Sequence, residues 1–153
     1  MKRIFIALIF VSVILSACNF FNKASSNSSG VLRCNIDGKP WSSVTRVSVK
    51  KAGGFSINGS AMQQDALDIT ITGDTKGTYT LGTLQYGFVA SYTPLVTSVD
   101  SLYTAINGTV VLSDIDLTNS KISGTFQFNL VNVKNNSRSK AVTDGVFTSL
   151  SYQ

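Results

Sequence analysis

Eight aspartates supply every side-chain carboxylate of this 153-residue chain, because the sequence contains no glutamate, and it contains no histidine either. Histidine is the commonest general base and metal ligand near neutral pH, so its absence excludes the Ser-His-Asp triad and the Cys-His dyad. With only two cysteines in addition, the chain also lacks the ligands of the usual zinc sites. Asp114 and Asp116 form a pair whose carboxylates would lie about 7 Å apart on one strand face. They precede a polar segment, where aspartates commonly stabilise a turn. We therefore favour a turn over the two other interpretations, a calcium ligand and a catalytic pair. We therefore expect no enzyme: no catalytic residue, no metal site and no cofactor.

Cys18 is the residue with the clearest covalent chemistry. A cationic start at residues 1–3 is followed by an apolar run at 4–15, and then by the small residues Ser16 and Ala17. This is the order of a secretory signal, and the apolar run is shorter than the ~20 residues that span a bilayer. The sequence therefore predicts export.

The four residues from Leu15 to Cys18, Leu-Ser-Ala-Cys, resemble the bacterial lipobox. That resemblance implies a diacylglycerol on the Cys18 thiol, cleavage before Cys18 and acylation of the new amine. Two or more acyl chains hold a protein firmly on a membrane. We expect residues 1–17 to be the signal peptide, and the protein to be lipid-anchored at the periplasmic side of the cell envelope or at the outer membrane.

Residues 18–30 are rich in serine and asparagine and predict a flexible tether, which leaves residues 31–153 as a single domain. Removing Lys2 and Arg3 takes the 13 basic residues to 11, against eight aspartates, a net charge of +3. These charges form no basic stripe, so nucleic acid is not an expected partner.

Alternating apolar and polar residues predict strands throughout this domain, with glycine, asparagine and aspartate between them. Asp37-Gly38 and Asp144-Gly145 are Asp-Gly pairs that we expect to form turns. We expect strands at residues 31–36, 44–50, 55–61, 66–73, 78–81, 86–92, 102–106, 109–115, 123–133 and 142–150. The predicted fold class is all-β, an antiparallel sandwich or a flattened, partly open barrel of about eight to ten strands built from sequential hairpins. Cys34 alternates with Leu32 and Ile36, which predicts a buried thiol.

An aromatic cluster in this domain has two interpretations. The side chains line a groove for a sugar, peptide or lipid, because aromatic rings offer contact area and a polar handle, or they pack the core. Trp41 is the candidate that we favour as a plug at the end of the core. The candidate residues are Trp41, Tyr79, Tyr86, Phe88 and Tyr92.

Four segments together resemble a group of β-rich Bacteroidota lipoproteins without an established activity. They are IDGKPW from Ile36, GTYTLG from Gly77, KISGTFQFNL from Lys121 and VTDGVFTSLSY from Val142. The resemblance implies an envelope location and an all-β domain, and it carries over no catalytic residue.

Asp100-Ser101-Leu102 also fits the Asp-Ser/Thr-apolar pattern of periplasmic O-glycosylation in Bacteroidota, which makes Ser101 a candidate glycan acceptor.

These observations predict a membrane-anchored, non-catalytic binding module of the cell envelope. Its partner would be an envelope protein or a glycan. The alternative is a carrier for a small lipid or glycan with a pocket inside a barrel, and an aspartate-dependent hydrolase is a more distant third possibility. The volume left inside the domain distinguishes the first two, and two aspartates meeting in a cleft would favour the third.

Overall fold

The computed structural model describes residues 28–62, 64–81 and 87–153, so Cys18, most of the predicted tether and Tyr86 lie outside the described residues. The strands are β1 (Val31–Ile36), β2 (Lys39–Ser42), β3 (Thr45–Lys51), β4 (Gly54–Ser60), β5 (Ala66–Thr72), β6 (Gly77–Leu81), β7 (Gly87–Thr93), β8 (Tyr103–Asp116), β9 (Lys121–Asn132) and β10 (Ser139–Ser151). Successive side chains of a strand point to opposite faces of the sheet, and strands such as β5 and β9 bury every second residue, whereas β4 buries its first four. A 3₁₀ helix at Val99–Ser101 precedes β8. No helix in these three ranges is long and apolar enough to span a membrane.

The ten strands form one sheet in the order β2-β1-β10-β9-β8-β6-β7-β5-β4-β3, and this sheet curls into a half-barrel. The predicted all-β class with eight to ten strands is confirmed, and of the two predicted architectures, a sandwich or a partly open barrel, the structure has the partly open barrel. The expectation of sequential hairpins alone is wrong at two places. Strand β1 pairs with β10, the last strand of the chain. Strand β6 inserts between β8 and β7, and it pairs with β7 in parallel.

Phenylalanine rings fill the interior of the half-barrel. Phe126 lies 5.6 Å from Phe128 and 6.4 Å from Phe147, measured between ring centroids, and Phe128 lies 5.9 Å from Phe88. These side chains are at most 3% exposed, and burying each one stabilises the fold by about 2–3 kcal/mol. Packed phenylalanine side chains therefore cover the inward faces of the long strands.

Three elements differ from the sequence prediction for local reasons. Lys39–Ser42 is a strand although it contains Pro40, because β2 is an edge strand, where a missing N–H costs no ladder bond. Strand β8 continues through Asn107-Gly108, which we expected to separate two strands. Asp144-Gly145, expected as a turn, lies within β10 at a shift of register. Asp37-Gly38 is a turn as predicted, with both residues at positive φ.

Candidate functional site

Four of the candidate aromatic residues lie in the described part of the chain, and all four belong to the core: Trp41, Tyr79, Phe88 and Tyr92. Tyr79 is 0% exposed and Phe88 is 1% exposed, so of the two interpretations these residues fit packing in the core and not a ligand groove. The Tyr79 hydroxyl donates to the carbonyl oxygen of Thr75 at 2.5 Å. Trp41 and Tyr92 are each 8% exposed, so only the edges of their rings reach a pocket.

Trp41 and Tyr92 converge on a buried carboxylate. Trp41 Nε1 donates to Asp65 Oδ2 at 2.7 Å, and the Tyr92 hydroxyl donates to the same oxygen at 3.1 Å. The amide of Ala61 donates to Asp65 Oδ1 at 3.1 Å. Asp65 is 6% exposed, and this set of donors replaces the water that it loses on burial. The cluster joins β2, at one end of the sheet order, to the β4–β5 connection near the other end.

The cluster forms the floor of a pocket of about 560 Å³ at the mouth of the half-barrel. Its walls include Val44 and Met62, which are 49% and 87% exposed, and its rim carries Lys39 and Lys140. Lys140 Nζ lies 2.8 Å from Asp37 Oδ2, so this lysine is already paired. The apolar walls, with Lys39 and the Lys140–Asp37 ion pair at the rim, make this pocket a second candidate site.

The titratable groups beside Asp65 are held in their neutral forms. Burial, and then the charge of Asp65, raises the pKa of the Cys34 thiol from 9.0 to about 12. The same two causes, in the same order, raise the pKa of Tyr92 above its usual value of 10.0. A thiol needs a lowered pKa to act as a nucleophile near neutral pH. Cys34 is therefore an inert core residue, and its predicted burial is confirmed at 4% exposure.

The larger site is a polar groove of about 760 Å³ on the outer face of the sheet. Five neighbouring strands, β2, β1, β10, β9 and β8, each contribute two outward-facing residues, which lie in two cross-strand rows. The register pairs that define these rows place Arg33 beside Ser42 and Val146, and Thr125 beside Val146 and Val111. The ten residues are Pro40, Ser42, Arg33, Asn35, Asp144, Val146, Thr125, Gln127, Thr109 and Val111.

A β-bulge places Asp144 in the polar groove. Thr143 and Asp144 together occupy the stretch opposite Gln127, because the register with β9 shifts between Val142 and Gly145. Asp144 has φ +52, a left-handed conformation that aspartate tolerates better than most residues. Asn35 Nδ2 donates to Asp144 Oδ2 at 2.9 Å, and the Thr143 hydroxyl donates to the same oxygen at 3.2 Å. Bulges that redirect a side chain are frequent beside functional sites.

Arg33 carries the positive charge of the polar groove. Its side chain is exposed and faces away from the core, opposite to Cys34. The ion pairs that the structure describes are Lys76–Asp114, Lys134–Asp100 and Lys140–Asp37, and Arg33 is in none of them. Its five N–H donors are thus available to a ligand.

The remaining aspartates have separate partners. Asp114 accepts from Lys76 at 2.7 Å, whereas Asp116 accepts from the Asn119 side chain at 2.7 Å, so the two carboxylates do not face one cleft. Within the described parts of the chain, no three cysteine or aspartate side chains group as a metal site. Ser101 Oγ lies 2.7 Å from the carbonyl oxygens of both Leu95 and Ser98, and its modification stays a prediction.

Sequence reasoning missed the polar groove because its residues look like ordinary outward positions of strands. The available signal was the concentration of amide, carboxylate and guanidinium groups on β1, β9 and β10. Nothing in the spacing indicated that the bulge would bring Asp144 next to Asn35, 109 residues away in sequence.

Comparison with known proteins places the chain by family only. Residues 28–151 match the model of DUF6252, a domain of unknown function. No curated protein and no solved structure matches the chain.

Proposed function

Because the chain belongs to the DUF6252 family, whose function is unknown, we propose a function from the geometry of the described residues. The protein is a non-catalytic recognition module that binds an envelope component in the polar groove. It is exported and held at the bacterial envelope by acyl chains on Cys18. The anchoring part of this proposal rests on the signal-like segment and on the Leu-Ser-Ala-Cys resemblance.

One observation carries the choice of site: the interior is packed with rings, while the polar groove is open and about 760 Å³ in volume. Ligand pockets typically measure 300–1,000 Å³ and combine contact area with a few convergent polar groups. Arg33, Asn35 and Asp144 are such groups. Recognition on the outer face is therefore better supported than transport inside the barrel.

Capture of envelope material on the full-length chain tests the proposal. Arg33→Ala and Gln127→Ala should each reduce the amount captured about tenfold, because each removes hydrogen bonds from the polar groove to the ligand. Lys51→Ala is the matched control, since Lys51 is an exposed cation at the end of β3 and outside the groove. Equal capture by all four proteins would show that the groove is not the binding site.

The carrier function is a second candidate, because the pocket of about 560 Å³ at the mouth of the half-barrel has apolar walls. Val44→Asp and Met62→Asp would then abolish the binding of a small apolar ligand while the polar-groove variants retain it. Fluorescence of a fatty-acid probe, measured against the unmodified chain, distinguishes the two sites.

Transfer of radiolabelled palmitate to the chain, and its loss in Cys18→Ala, tests the anchor separately.

A further inference from the structure

We propose that the polar groove binds an uncharged polysaccharide chain rather than a charged polymer or an extended peptide. This inference rests on the proposed function, because it names the ligand class of that same site. It follows from the charge balance, the hydrogen-bonding groups and the direction of the groove across the strands.

The charge balance of the groove disfavours polyelectrolytes. Arg33 and Asp144 are the charged residues of its lining, one of each sign, on the adjacent strands β1 and β10. A polyanion gains from Arg33 but meets the carboxylate of Asp144, and a polycation meets the reverse. A ligand without charge avoids both conflicts and can still take a charge-assisted hydrogen bond from each side chain.

The remaining polar groups suit hydroxyls. Asn35 and Gln127 offer amides that both donate and accept, and Thr109, Thr125 and Ser42 offer hydroxyls. A sugar hydroxyl also donates and accepts, so neighbouring hydroxyls can be bound by a carboxylate and a guanidinium together. Pro40, Val111 and Val146 supply apolar contact for the C–H faces of the rings.

Asp144 is held in place before any ligand arrives. Its Oδ2 is occupied by Asn35 and Thr143, and its backbone is fixed in the bulge. The carboxylate therefore keeps acceptor capacity at its other oxygen, with little side-chain freedom left to lose on binding.

The direction of the groove disfavours a peptide. An extended peptide binds by adding a strand to a free sheet edge, where backbone N–H and C=O groups are unpaired. The polar groove instead crosses the outward side chains of five strands, and four of them, β1, β10, β9 and β8, are paired on both sides. Only β2 is an edge strand, so an added peptide strand would run beside β2 and not along the groove. Four strand spacings of ~4.8 Å make it about 19 Å long, which suits several linked rings.

Calorimetric titration of the full-length chain with neutral hexasaccharides of glucose, mannose, xylose and N-acetylglucosamine tests this. Hexagalacturonate is the anionic comparison, and the de-acetylated glucosamine hexamer is the cationic one. We expect a neutral hexamer to bind, and Arg33→Gln and Asp144→Asn each to weaken it about tenfold. Asparagine also tolerates the left-handed conformation at position 144, so Asp144→Asn removes charge while the bulge remains.

The sign of each substitution separates the ligand classes. An anionic ligand would bind Asp144→Asn more tightly, and a cationic ligand would bind Arg33→Gln more tightly. Either result overturns the polysaccharide inference and leaves the groove as the site. Lys51→Ala should leave the affinity for each of these ligands unchanged.

Envelope material gives a test that does not depend on the sugars chosen. Periodate cleaves the vicinal diols of 1,4-linked glucose, mannose or xylose chains and should abolish capture of such material, whereas a 1,4-linked N-acetylglucosamine chain lacks these diols and should still be captured. Protease treatment should leave the capture of both intact. Capture that survives periodate but not protease overturns the inference. If Arg33→Gln and Asp144→Asn capture as much as the unmodified chain, the proposed function fails as well.

Discussion

Asp65 shows at the level of single residues how the mouth of the half-barrel is held. Its carboxylate is the common acceptor of the Trp41 indole and the Tyr92 hydroxyl. The position of Trp41 at the end of the core agrees with the sequence interpretation of a plug. Its partner could not be inferred, because Asp65 is 24 residues away and the contact depends on how the sheet curls.

Replacing Asp65 should destabilise the protein strongly. Asp65→Ala leaves two buried donors without an acceptor, and each unsatisfied donor costs about 1–3 kcal/mol. We expect the free energy of unfolding, measured by urea titration, to fall by about 3 kcal/mol. Asp74→Asn is the control, because Asp74 is exposed. A similar stability for the two variants would contradict the role of Asp65.

Cys34 makes the stability dependent on alkaline pH. The unfolded thiol has a pKa near 9.0 and the folded one about 12, so between these values the unfolded state binds fewer protons. Stability is fully present below pH 9 and is lost as the pH rises toward 12, at about 1.4 kcal/mol per pH unit for this group. Cys34→Ala should have a shallower decline than the unmodified chain in urea titrations over this range. Parallel declines would show that the thiol ionises equally in both states.

At the level of elements, side-chain alternation predicted most strands, since burial on one face imposes a period of two. It failed where backbone conformation decides. Asp144-Gly145 has the composition of a hairpin turn, yet neighbouring strands on both sides keep it within β10 as a bulge. The polar groove depends on that bulge, so the sequence indicated the all-β class but not the site.

Glycines opposite aromatic rings fix how closely the long strands pack. Phe147 covers Gly124 on β9, and a Cβ at that position would collide with the Phe147 ring and the carbonyl oxygen of Val111. The collision is with backbone as well as side chain, so it cannot be relieved by a rotamer change. The close approach of the Phe147 ring explains why the Gly-Thr-Phe segment that follows Ser123 begins with a glycine, Gly124.

Gly124→Ala should therefore cost roughly 3 kcal/mol of stability, at the upper end for an overpacked site. Gly53→Ala provides the comparison, since a Cβ there meets open space and only its positive φ is unfavourable, at about 1–2 kcal/mol. Thermal unfolding of the two variants measures the difference. Equal melting temperatures would mean that β9 and β10 can separate without penalty.

At the scale of the whole molecule, the sheet does not close on itself, so β2 and β3 remain as edge strands at its two ends. Strand β3 lies at one end of the order, and its outer edge is covered by segments from elsewhere in the chain. The Lys50 amide donates to Gln153 O at 2.9 Å, and the Gln153 amide donates to Ser48 O at 3.1 Å. Covering an edge in this way prevents pairing with another molecule. Sequence pattern does not reveal such cover, because it depends on the order of strands in the sheet.

Ser28 completes this cover, and its replacement tests closure of the molecule. The Ser48 amide donates to Ser28 Oγ at 2.9 Å, and Ser48 is 0% exposed, so water cannot replace that acceptor. Ser28→Ala should lower the free energy of unfolding by about 2 kcal/mol and speed hydrogen exchange at the Ser48 amide. Ser29→Ala is the matched control, because Ser29 is exposed and uses its backbone amide to bind Ser151 Oγ. If both variants exchange alike at Ser48, the edge of β3 is held by Gln153 without help from Ser28.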